Sequence, residues 1–103
     1  MARKVVWTHA ALEDLEVSVS YIAKDSPVYA ATFVREVRDA ARSLMHMAER
    51  GRALPDLGDP SLRELLVRNH RLIYCMADDA LYVVALIHGA RDLFALWGKE
   101  GRS

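Results

Sequence analysis

The apolar positions of the chain change period twice, from alternation to a helical stripe and back. Val5-Val6-Trp7 is a short β-branched and aromatic run, suited to a half-buried strand. Leu12, Leu15, Val19 and Ile22 follow at spacings of 3, 4 and 3, one stripe along a helix. Thr8 precedes them as an N-cap, and Glu13, Asp14 and Glu16 place negative charge near the helix start, where the dipole favours it. Asp25-Ser26-Pro27 is the sharpest punctuation: Ser26 suits an N-cap and Pro27 the first helical position. The second helix is expected to bury Ala30, Phe33, Val34, Val37, Ala41 and Leu44, to expose Arg35, Glu36, Arg38, Asp39 and Arg42, and to stop at Gly51. So short a link makes the two helices an antiparallel hairpin with one apolar seam.

That seam needs a sheet to cover it. After a Gly/Pro/Asp-rich loop over 51–61, strands are predicted at 62–68, 71–77 and 81–88, with turns at Asn69-His70 and Asp78-Asp79. The last run is apolar almost throughout, as expected of a strand covered on both faces or placed centrally. Gly89 breaks it, 91–97 is read as a short tail able to form a helical turn, and 98–103 as a fraying end. The predicted architecture is α+β, in the order β-α-α-β-β-β. An antiparallel meander carries a helical hairpin on one face, as a single domain over residues 1–103.

Composition narrows the function. Just over half of the 103 residues are hydrophobic, and 14 basic residues balance 14 acidic ones. A chain that coats nucleic acid needs surplus cations, so that class is disfavoured. Cys75 is the single cysteine. It allows no internal disulfide, and its apolar neighbours suit a structural thiol better than a nucleophile. Three apolar residues, Val5 to Trp7, are too few for a signal peptide core, and no run spans a bilayer. A cytoplasmic protein is expected. His9, His46 and His70 show no metal-ligand spacing, so neither metal nor cofactor is expected.

Four segments, in register, resemble the RelE/ParE toxins of type II toxin–antitoxin systems, also called plasmid-stabilisation proteins. They are Asp25-Ser26-Pro27 with Ala30 and Phe33; Gly51-Arg52 with Leu54-Pro55 and Leu57; Arg63-Glu64-Leu65 leading to His70-Arg71-Leu72-Ile73-Tyr74; and Leu86-Ile87-His88-Gly89-Ala90-Arg91-Asp92. The resemblance implies a growth-inhibiting toxin neutralised by a cognate antitoxin. A partly helical, extended antitoxin segment would lie over the sheet or the hairpin, in a toxin–antitoxin hetero-oligomer.

The family implies two activities. RelE-like members cleave messenger RNA on the ribosome, and ParE-like members inhibit DNA gyrase. Metal-free RNA cleavage needs a base, a phosphate-stabilising cation and an acid. Arg71 and Arg91 stand where the resemblance places phosphate-binding arginines, and His88 is the nearby acid/base candidate. Against this, Trp97 falls where RelE-like enzymes carry a catalytic tyrosine, and Leu62 and Glu64 where they carry lysines. The ParE-like branch, a non-enzymatic inhibitor, is therefore favoured. Its target- or antitoxin-binding candidates are Arg63, Arg71, Arg91, Asp92 and Trp97, the inhibitory surface lying around the C-terminal segment. Plainer roles are open: Arg71 pairs with Glu64 across neighbouring strands, Arg91 and Asp92 pair with the sheet edge or cap the tail, His88 is a satisfied histidine at a strand end, and Trp7 and Trp97 close the two ends of the core.

Overall fold

Thr8 and Ser26 each hand the chain into a helix. The Thr8 hydroxyl accepts from the amide of Ala11, and the Ser26 hydroxyl from that of Tyr29, satisfying donors that a helix start leaves orphaned. The computed structural model describes residues 3–54 and 57–89. Its elements are β1 (Lys4–Trp7), α1 (His9–Ala23), α2 (Pro27–Ser43), β2 (Arg52–Ala53), β3 (Leu62–Val67), β4 (His70–Met76) and β5 (Ala80–His88). The expected α+β architecture holds, with the helical hairpin on one face of the sheet.

The sheet is mixed, in the order β1-β5-β4-β3-β2. The last three strands form the predicted antiparallel meander, and β1 adds to its far edge in parallel, Lys4 beside Ala80 and Trp7 beside Val83. β2, two residues from the connecting loop, was not foreseen. The hairpin turn also differs from expectation. Val67 pairs with His70, so the loop is Arg68-Asn69 and His70 is a buried strand residue. Arg68 takes the left-handed conformation, φ 55°, which a tight strand-to-strand reversal demands. Its guanidinium grips both oxygens of Glu36 on α2 and sits 5.3 Å over the Tyr29 ring.

The core has two layers. Phe33, Val37 and Ala41 of α2 and its C-cap Leu44 pack with Leu65, Val67, Leu72, Tyr74, Leu81, Val83 and Leu86 of the sheet. On α1 the buried residue is Ala11, whereas Leu12, expected on the apolar stripe, is half exposed. Asp14 does not serve the helix start; its carboxylate accepts from the Leu86 amide on β5. The opposite face of the sheet is also dry: Leu62, Ile73, Ala85 and Ile87 cluster with Leu54. A register shift between Ile73 and Tyr74 leaves Val84 as an extra residue in β5, a β-bulge that changes which side chains face the helices.

Gly51 does not stop α2, which ends at Ser43. It is instead where the loop meets the sheet: an added Cβ would lie 2.5 Å from the Tyr74 hydroxyl and 2.7 Å from the Glu64 carbonyl. The fully buried Tyr74 hydroxyl donates to the Ala48 carbonyl at 2.7 Å and accepts from the Gly51 amide at 2.9 Å. Tyr74→Phe leaves both of these groups without a partner in a dry site and should cost about 2 kcal/mol, read as a lower urea midpoint at unchanged slope.

Candidate functional site

Two places gather polar chemistry against the apolar core. The first is on the sheet face away from the helices. The strand period puts Glu64 on that face among Leu62, Ile73 and Ala85, and its side chain is only 2% exposed. A bare carboxylate there would be prohibitive. Arg71, diagonal to it on β4, donates from Nε to one oxygen, and Arg52 on β2 donates from Nε to the other at 2.8 Å. Arg71 is itself only 12% exposed, whereas Arg52 is 69% exposed. Beside this clasp, Arg63 donates to the Gly51 carbonyl at 2.8 Å.

The second place is a groove of about 470 Å³ on the helix side, lined by Val17, Tyr21, Tyr29, Asn69, His70 and His88 among others. Val17 and Tyr21 are largely exposed. His70 lies with its ring 4.7 Å from Phe33 and 5.3 Å from His88. Asn69 links the imidazoles, its amide nitrogen 3.2 Å from His88 Nε2 and its oxygen 3.0 Å from His70 Nδ1. In that orientation Asn69 donates to His88 and accepts from His70. Burial, then the neighbouring His88, hold the His70 imidazole below its ordinary 6.5.

The candidates do not converge. Arg71 pairs with Ile87 on the outer face, and His88 pairs with His70 on the helix face. Their side chains therefore leave the sheet on opposite faces. Arg91, Asp92 and Trp97, with the inhibitory surface placed around them, lie outside the described residues. Trp7 packs against the helix-side core. Cys75 is partly buried, and burial pushes its thiol up, away from the nucleophilic form. Among the described residues no three His, Cys, Asp or Glu side chains could hold a metal, and no helix is long and apolar enough to cross a membrane. The sequence reading found the Arg71–Glu64 pair but missed Arg52, because a two-residue strand carries no periodic signal. It also missed the groove, whose walls come from α1, α2, the hairpin turn, β4 and β5.

The family model described as "ParE toxin of type II toxin-antitoxin system, parDE" matches residues 5–93. The chain belongs to the ParE toxin family. Toxin RelE2 of Caulobacter vibrioides is 39% identical over 89 residues, 85% of this chain and 97% of that protein. A solved chain of the chromosomal ParDE TA system from P. aeruginosa superposes with a TM-score of 0.71 at 18% identity, covering 84% of this chain and 96% of the other. That likeness shows a shared fold. Membership makes this chain the toxin of a type II pair and implies an antitoxin partner.

In this ParE-family toxin the clasp and the histidines should be separable by measurement. Glu64→Ala removes the buried carboxylate that Arg71 and Arg52 share and should cost about 3 kcal/mol, whereas Arg52→Ala, at an exposed partner, should cost less than about 1 kcal/mol. Because the folded His70 binds its proton more weakly than the unfolded chain does, stability should fall as pH drops through 6.5 and level off below the folded value. Urea midpoints across that window should show the slope, and His70→Phe should reduce it.

Proposed function

We propose that this ParE-family toxin arrests growth by inhibiting DNA gyrase, without enzymatic chemistry of its own, in the cytoplasm, until its antitoxin covers it. The observation that carries this reading is the placement of Arg71. The phosphate-binding candidate of the nuclease reading is committed to a buried carboxylate and shares no face with His88. Freeing Arg71 to meet a substrate phosphate would leave Glu64 facing Arg52 alone, at a cost of several kcal/mol. His88 accepts from Asn69 in a groove with an apolar wall, more suited to holding protein than to moving protons. The neutral total charge also fits a protein target better than the ribosome.

The other reading, ribosome-dependent cleavage of messenger RNA, is favoured by one observation, the name Toxin RelE2 of the 39% identical relative. The two readings separate in parallel assays on the purified chain. Gyrase supercoiling should be inhibited at micromolar toxin and restored by antitoxin, and ribosomes programmed with message should show no A-site cuts. Supercoiling that proceeds untouched, with cuts abolished by Arg71→Ala in a variant that still folds, would reverse the assignment.

A further inference from the structure

β1 is an edge strand of the described sheet; just before it the outward Arg3 amide donates to the Met45 carbonyl at 2.9 Å, and among the described residues the rest of that outer edge is unused. The parallel ladder turns the Lys4, Val6 and Thr8 backbone groups toward β5: Lys4 donates to the Asp79 carbonyl at 3.0 Å and Thr8 to that of Val83 at 3.0 Å. The intervening Val5 and Trp7 therefore aim their N–H and C=O groups away from the sheet. Among the described residues they meet no backbone partner. Such an edge is a template for another strand.

The edge runs along a trough of about 380 Å³ between β1 and the C-terminal half of α2. Val5, Trp7 and Met45 give it an apolar floor, and Lys4, Arg38 and Arg42 a basic rim. Arg38 and Arg42 also line the adjoining depression on α2, with Arg35 and one acid, Asp39. In a chain whose charges cancel overall, these cations are concentrated. Among the described residues no carboxylate forms an ion pair with Lys4, Arg38 or Arg42.

We infer that this trough seats an extended, acidic segment of the antitoxin, paired with β1 as an added strand. The inference rests on the antitoxin partnership that family membership implies. An added strand takes the Val5 and Trp7 backbone groups, its alternate side chains reach the apolar floor, and its acidic residues meet Arg38, Arg42 and Lys4. A nucleic acid would satisfy the cations but offers no ladder for the backbone groups and no use for the floor. The observations therefore favour a polypeptide.

The test uses the full chain and its cognate antitoxin, with a single-stranded RNA and a duplex DNA as separate probes. Binding is titrated at low and raised salt for the wild type, Arg38→Glu/Arg42→Glu and the milder Arg38→Gln/Arg42→Gln, with melting temperatures confirming the fold. Antitoxin affinity should fall at least about tenfold in the charge-reversed protein, less in the glutamine protein, with a shallower salt dependence. The Val5 and Trp7 amides should gain hydrogen-exchange protection in the wild-type complex. Both readouts are required. Unchanged affinity, or amides that stay unprotected, overturns the docking site and leaves the partnership standing. RNA or DNA binding that depends on Arg38 and Arg42 while antitoxin binding does not overturns it in favour of a nucleic-acid surface. A wild-type chain that ignores its antitoxin overturns the partnership and the docking site together.

Discussion

A strand with two dry faces must be covered on both, and β5 imposes that demand on the whole chain. Leu81, Val83 and Leu86 need the helix layer, and Ala85 and Ile87 need the opposite layer. Its edges must be met as well, because an unpaired amide in an apolar setting costs more than a hydrogen bond returns. β4 takes one edge along the full length, β1 takes the first part of the other, and the Asp14 carboxylate takes the Leu86 amide where β1 has ended. The helical hairpin lies where it does because α1 continues from β1 along that remaining edge and α2 returns over the face.

Much of this was legible in the residues, and the failures have identifiable causes. Helix starts at Thr8 and Ser26-Pro27 are local chemistry, so they could be read directly. The apolar run of the last strand signals a strand covered on both faces, and β5 is one, interior to the sheet. The turn was misplaced by one residue because Arg68 is a poor sign of a left-handed conformation, which Gly or Asn would advertise. What holds it there is Glu36, 32 residues earlier, a pairing no local window contains. Leu12 fits the helical period yet is half exposed, because Ala11 is the residue that faces the core closely. The parallel pairing of β1 has no sequence signature at all, since it depends on where the hairpin returns the chain.

The candidate arginines illustrate a general difficulty in reading charge from sequence. Arg52, Arg63 and Arg71 look alike in a list of cations. In the fold, Arg71 and Arg52 neutralise one buried carboxylate and Arg63 holds a loop carbonyl. The paired arginines explain how an acidic residue is tolerated within an apolar face. The cations with no ion pair among the described residues, Arg38, Arg42 and Lys4, carry no such signal in the sequence beyond the exposed side of a helix, because distance between elements, not spacing along one, brings them together.

The parallel seam has a consequence for biosynthesis. Lys4 finds its neighbour at Ala80, 76 positions later, so the first strand emerges from the ribosome long before anything exists for it to join. Closing so long a loop is entropically demanding and is expected late in folding. A nascent toxin thus stays incomplete until its last strand has been made, which gives the cell an interval in which the chain exists but its finished surface does not.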